Sequence, residues 1–219
     1  MSARSITATD DQVRANLEQV RRDIAAVGRA DVQIVAVTKG FDRTALDAAR
    51  RVGLSNVGEN YAQEVVEKSA ALGDLTMHFI GRIQRNKVRK ISDQVSLWHS
   101  VARPEIITEL AKRADSPRVL IQVRPHGDPT KDGVDPTEID MMLSAAADAG
   151  VIVEGLMTIG VLGDAEETRR CFRDTAALAD TFGLAHRSMG MSGDYRDALV
   201  EGATILRLGS LLFGPRPAR

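Results

Sequence analysis

The sequence predicts an α/β protein of the (β/α)8 barrel type, and three observations carry that prediction. Short β-branched runs alternate with amphipathic helical stretches about eight times along the chain. Such alternation implies parallel strands joined by right-handed helical crossovers. The 219 residues fall within the roughly 200 to 400 that a closed barrel of eight such units occupies. No composition shift, low-complexity segment or linker interrupts the pattern, so residues 1–219 are expected to form one domain. An open, doubly wound sheet is the alternative, and strand count does not separate the two.

The first element is a helix over residues 10–27. Val13, Leu17, Val20, Ile24 and Val27 form one apolar stripe, Thr9 with Gln12 makes a capping box, and Gly28 is placed to end it. Since only L-L-F-G-P-R-P-A-R follows the last strand, this helix is expected to fill the missing place in the outer ring. Eight β-type runs then follow, at residues 32–38, 55–57, 77–80, 95–99, 118–123, 151–157, 187–189 and 204–208. The helical stretches between them are 44–52, 61–72, 84–91, 104–114, one opening at Asp135-Pro136-Thr137-Glu138, 164–182 and 194–201. Asp135 is a cap residue, Pro136 occupies the first helical position, and the acidic first turn of the 164–182 helix suits the helix dipole.

Composition sets the class of function. With 29 Lys and Arg against 30 Asp and Glu, the net charge is −1, which gives no general pull toward nucleic acid or an anionic membrane. A single cysteine, Cys171, allows no internal disulfide and reads as a buried thiol. The N-terminus has no apolar signal-peptide core and no run is long enough to span a bilayer, so a cytoplasmic protein is expected. The basic stretch from Arg82 to Lys90 lacks interleaved aromatics and reads as a solvated helix face. His78 and His99 have no metal-spaced partners and read as core histidines, and Glu67-Lys68 reads as a surface pair.

In a barrel the chemistry sits just after the carboxyl ends of the strands, with phosphate held by the loops after strands seven and eight. V-A-V-T-K-G puts Lys39 at the end of the first strand. M-G-M-S-G after the seventh strand (Met189, Gly190, Ser192, Gly193) and Gly209-Ser210 after the eighth offer backbone N–H groups and hydroxyls, the chemistry of an anion site. Arg207 lies in a strand buried on both faces and needs either a ligand or a structural acid such as Glu59. An amine facing a phosphate site suggests a ligand with both an aldehyde and a phosphate, since a desolvated amine is an imine-forming nucleophile. Pyridoxal 5′-phosphate fits, and so does a phosphosugar in an aldolase-like site.

V-A-V-T-K, G-E-N-Y-A-Q-E, H-F-I-G-R-I-Q-R-N-K, H-S-V, K-D-G, G-L-M-T-I, S-M-G-M-S and R-L-G-S-L-L-F-G occur in this order. By these motifs the chain resembles the pyridoxal phosphate homeostasis proteins, the YggS/PROSC family, over essentially residues 32–214. The resemblance implies a barrel like the N-terminal domain of alanine racemase, binding pyridoxal 5′-phosphate as an imine of Lys39. It further implies phosphate contacts from Ser192, Gly209 and Ser210, Arg207 near the pyridine nitrogen, and Asn60 and Met157 lining the pocket. Met189 and Gly190 belong to the same phosphate-side motif. Gln122-Val123-Arg124, Ala102 and Ile83 depart from the family pattern, in loops around the site. Family members keep vitamin B6 in balance rather than running a clear turnover, so a carrier is expected, with racemase-like activity as the competitor. An arginine at the ring nitrogen cannot accept its proton, and no second β domain is expected to supply an opposite-face acid. Tyr61 and Tyr195 are the tyrosines that could stand in for one, Tyr61 reading as a packing residue. Lys131 in the 124–134 loop reads as a plain loop lysine. Apo-enzymes that use the cofactor are the expected acceptors, and the chain is expected to be a monomer or weak dimer.

Overall fold

A computed structural model of the chain describes residues 5–124 and 132–215. Eight parallel strands close into a barrel in strict sequence order: β1 (Gln33–Val37), β2 (Asn56–Glu59), β3 (Thr76–Phe79), β4 (Leu97–Val101), β5 (Arg118–Gln122), β6 (Ile152–Met157), β7 (His186–Ser188) and β8 (Ile205–Leu208), with β8 pairing back onto β1. The helices are α1 (Asp10–Ala26), α2 (Thr44–Arg51), α3 (Ala62–Lys68), α4 (Arg85–Ile91), α5 (Pro104–Ala111), α6 (Ile139–Asp148), α7 (Ala165–Thr181), α8 (Tyr195–Val200) and α9 (Ser210–Phe213). Closure settles the choice between barrel and open sheet.

The alternation of side chains along each strand builds two cores. Outward residues such as Ile34, Ala36, Trp98, Val119, Leu206 and Leu208 pack against the helices in one large cluster. Inward residues Val35, Leu97, Leu120, Met157 and Ile205 form a second cluster inside the barrel. α1 completes the outer ring as the apolar stripe requires: Val13, Leu17, Val20 and Ile24 are its buried residues, and the Thr9–Gln12 capping box forms. Its Asp23 takes hydrogen bonds from Tyr195 and Arg196 of α8, Asn16 Nδ2 donates to the Leu212 carbonyl of α9, and Arg51 of α2 donates to Asp10.

The differences from expectation have local causes. The fourth strand lies at Leu97–Val101, not 95–99, because a 3-10 turn over Ser92–Gln94 occupies the approach and all five residues from Leu97 are buried. The helix expected over 61–72 stops at Lys68 and tightens into a 3-10 turn, Ser69–Ala71. Asp135 does cap with Glu138, but the turn it caps is 3-10 (Pro136–Glu138), and α6 begins only at Ile139. The short helix α9 was not foreseen, being a single turn below any periodicity signal. Among the described residues no helix is long and apolar enough to cross a membrane, and no group of metal-binding side chains gathers. Lys131 lies outside the described residues.

Candidate functional site

A cavity of about 250 Å³ opens at the carboxyl ends of the strands. Its volume is below the roughly 300–1,000 Å³ typical of drug-sized ligand pockets and suits a single substituted ring. Lys39 and Phe41 from the loop after β1, Asn60 after β2, Ile80 after β3, Met157 of β6 with Ile159, Met191, Ser192 and Gly193 after β7, and Arg207, Gly209 and Ser210 at the end of β8 line it, with Val37. The lining includes two cationic residues and no Asp or Glu among the described residues, so the field favours an anion.

Lys39 reaches the cavity because the first strand ends in a tight turn. Phe41 N–H donates to the Thr38 carbonyl at 3.1 Å, and Gly40 sits at φ +79°, a backbone region that glycine enters without penalty. Across the cavity the loops after β7 and β8 are stitched together by Ser192, whose hydroxyl oxygen accepts the N–H groups of Leu211 at 3.1 Å and Gly209 at 3.4 Å. The Ser192 and Ser210 hydroxyls therefore lie at one end of the cavity, beside the Gly209 and Leu211 N–H groups that Ser192 Oγ accepts.

Arg207 is 4% exposed and, among the described residues, has no carboxylate in hydrogen-bond contact. Its guanidinium donates to Ser188 Oγ at 2.7 Å and to the Thr158 carbonyl at 2.9 Å. Burial lowers its pKa from 12.5 to about 10, an effect only partly offset by the charge of Asp194. The structural acid considered from sequence, Glu59, is engaged elsewhere, with Lys68 and Thr38. Ser188 continues inward. Its Oγ lies 2.9 Å from His99 Nδ1, His99 Nε2 lies 2.9 Å from His78 Nδ1, and His78 Nε2 lies 3.1 Å from Asn56 Oδ1. Both imidazoles are pushed toward the neutral form by burial, His78 to about 4 and His99 well below its ordinary value. They are core histidines, as read, but they form one polar chain that ends on Arg207.

Asn60 lines the cavity with a buried side-chain carbonyl oxygen that has no hydrogen-bond partner. Such an orphan acceptor is costly unless a ligand donates to it. Gly81 presses on Asn60 so closely that a Cβ there would lie 2.0 Å from the Asn60 backbone carbonyl oxygen.

Of the ten residues singled out from sequence, Lys39, Asn60, Met157, Ser192, Gly193, Arg207, Gly209 and Ser210 share this cavity. Met189 and Gly190 are not in its wall. Met189 is wholly buried in the outer core, and Gly190, at φ +91°, packs against Ala198 while its carbonyl accepts the Arg207 N–H. Sequence reading missed Phe41, Ile80, Ile159 and Met191, apolar residues in turns with no chemical signature of their own. Tyr61 is 45% exposed rather than packed and is not among the lining residues. Tyr195 points to the outer ring, donating to Asp23, and burial with Asp23 lifts its phenol to about 12. Lys68, read as a surface residue, is 3% exposed.

This closed barrel, with a lysine after its first strand and glycine–serine loops after its last two, is of the alanine racemase N-terminal type: the family model for that domain matches residues 9–217. A pyridoxal phosphate homeostasis protein of Deinococcus radiodurans is 38% identical over 92% of this chain and 99% of its own length. The structure of PipY from Synechococcus elongatus with pyridoxal phosphate bound superposes with a TM-score of 0.81 at 32% identity, covering 93% of this chain and all of that one. The alanine racemase of Bacillus anthracis shares the fold alone, with a TM-score of 0.73 at 16% identity, this chain spanning 57% of it. The chain belongs to the pyridoxal phosphate homeostasis protein family.

Proposed function

We propose that this chain binds pyridoxal 5′-phosphate covalently through Lys39 and serves pyridoxal phosphate (vitamin B6) homeostasis. The observation that carries the reading is the single cavity that joins the Lys39 amine to the Ser192–Ser210 anion cradle without a carboxylate in its described lining. Ser192, Gly209 and Ser210 take the phosphate, Arg207 sits by the pyridine nitrogen, and Asn60 and Met157 flank the ring. Asn60, with its orphan acceptor, and Arg207, whose partners among the described residues are a hydroxyl and a carbonyl, both suit a ligand that brings donors and negative charge. When bound, the cofactor supplies an electron-withdrawing ring conjugated to the lysine.

Holding is favoured over turnover. Arg207 offers the ring nitrogen a donor and cannot take its proton, which restrains the ring as an electron sink. Tyr195 is committed to Asp23, so it is not a free acid for the cavity. Family membership favours this reading over the aldolase alternative. A site open at the barrel mouth suits loading and release, with cofactor-dependent apo-enzymes as acceptors.

The test is the visible spectrum of purified protein loaded with pyridoxal 5′-phosphate, before and after borohydride reduction, with the labelled lysine mapped by mass spectrometry. The label is expected on Lys39, and Lys39→Ala should abolish it. A label elsewhere, or no chromophore, defeats the reading. L-alanine racemisation that depends on Lys39 would defeat the preference for holding.

A further inference from the structure

One buried cluster lies behind the cavity wall, built from residues that are not among the described lining. Lys68 Nζ donates to Glu59 Oε1 at 2.6 Å, to Glu64 Oε2 at 3.0 Å and to the Thr38 carbonyl at 2.8 Å. Glu64 Oε2 in turn accepts the Gly40 N–H at 2.8 Å, and the Thr38 hydroxyl donates to Glu59 Oε1 at 2.5 Å. Thr38 and Gly40 are the neighbours of Lys39 on either side.

The Thr38 carbonyl belongs to the peptide unit before Lys39, and the Gly40 N–H to the unit after it. Each peptide unit is a rigid plane, and the only soft torsions between the two planes are φ and ψ of Lys39. Fixing both planes fixes the direction in which the Lys39 side chain leaves the backbone. The i,i+4 pair Glu64 and Lys68 of α3 holds one plane each. Burying a charged pair is expensive, and for stability alone an apolar pair of the same volume is often as good. Its position on both flanks of a single residue gives it another use.

We propose that Glu64 and Lys68 are positioning residues for Lys39: they aim its amine at the aldehyde carbon, where it adds and water leaves to form the imine. The proposal rests on the reading of Lys39 as the imine lysine.

The test separates aiming from folding and from cofactor binding. Glu64→Ala removes the acceptor for Gly40 N–H yet leaves Lys68 neutralised by Glu59, whereas Glu64→Gln keeps an acceptor in place. Three quantities are read: the rate of imine formation with pyridoxal 5′-phosphate, trapped by borohydride and mapped to Lys39; the affinity for pyridoxine 5′-phosphate, which has no aldehyde; and thermal stability. Glu64→Ala should slow labelling of Lys39 about tenfold, the effect of one lost charge-assisted hydrogen bond, with pyridoxine 5′-phosphate affinity unchanged within about twofold. Glu64→Gln should restore most of the rate. If Glu64→Ala does not fold, the double variant Glu59→Gln with Lys68→Met removes the other arm, keeps Glu64 on Gly40, and should show the same slowing. Wild-type labelling rates in the folded variants, equal losses in Glu64→Ala and Glu64→Gln, or a parallel fall in pyridoxine 5′-phosphate affinity would each overturn the proposal. Absence of label on Lys39 in the wild type would instead defeat the cofactor reading, and this proposal with it.

Discussion

Replacing Glu59 by glutamine should make the protein more acid-sensitive, although it removes an acidic group. Burial lifts the Glu59 carboxyl from 4.5 to about 7, opposed by the Lys68 ammonium 2.6 Å away. A carboxyl raised in the folded state contributes stability that is complete below its unfolded value and is lost as pH rises through the folded one. His78 behaves in the opposite sense. Burial lowers it from 6.5 to about 4, so its contribution is present above its unfolded value and is lost as pH falls. Going from about pH 7.5 to about pH 5, linkage gives a gain of roughly 2 kcal/mol from Glu59 and a loss of roughly 2 kcal/mol from His78. His99, lowered by burial as well, adds to the loss. The wild type therefore offsets an amount comparable to the His78 effect through Glu59. Glu59→Gln removes the compensation, and its acid-side loss should exceed that of the wild type by about 2 kcal/mol. Urea unfolding followed by circular dichroism at the two pH values measures this. With a slope of about 2 kcal/mol per M, the extra loss appears as about 1 M in the midpoint. Equal losses in wild type and variant would refute the assignment of a raised, buried carboxyl at this position.

The cradle and its supports give further expectations. Ser192→Ala removes the acceptor shared by the Gly209 and Leu211 N–H groups, and should weaken pyridoxal 5′-phosphate about tenfold or more while leaving pyridoxal, which lacks the phosphate, nearly unchanged in an absorbance titration. Gly81→Ala drives a methyl to 2.0 Å from the Asn60 backbone carbonyl oxygen, and should cost roughly 2–3 kcal/mol in denaturant unfolding and displace Asn60 from the cavity wall. Arg207→Met leaves Ser188 Oγ and the Thr158 carbonyl without their buried donor, and should lose stability by roughly 1–3 kcal/mol together with affinity for the cofactor, read by calorimetry.

The barrel was legible because its signals are periodic and repeated. Each strand announces itself by β-branched residues, each helix by an apolar stripe or a cap, and eight repetitions absorb an error of two residues at β4. Lys39, Ser192, Arg207, Gly209 and Ser210 were expected at the strand ends, where barrel chemistry sits, and they line one cavity there. What escaped notice was set by three-dimensional neighbours. Met189 and Gly190 share a motif with Ser192, but strand alternation turns Met189 outward, and Gly190 is pinned against Ala198. Lys68 looked like one of many surface lysines, because nothing local reveals that its face of α3 lies over Thr38 and Glu59. Glu59 lies on a strand beside an asparagine that lines the cavity, and only the fold shows that its carboxylate turns the other way, toward α3.

The polar chain inside the barrel bears on what the site can hold. Hydrogen-bond direction along it is determined once both imidazoles are neutral. Arg207 can only donate, so Ser188 Oγ accepts from it and passes its own hydrogen to His99 Nδ1. His99 then donates from Nε2 to His78 Nδ1, and His78 donates from Nε2 to Asn56 Oδ1, a carbonyl oxygen that can only accept. Within the chain Ser188, His99 and His78 each accept one hydrogen bond and donate one, so it fixes the guanidinium without carrying a neutralising charge. A carboxylate at the Ser188 position would have anchored Arg207 equally well and cancelled its field. With a hydroxyl there instead, the cation remains available to whatever occupies the cavity. The same interior that orients Arg207 thus leaves its charge facing a cavity whose described lining holds no Asp or Glu and whose other end is formed by Ser192 and Ser210.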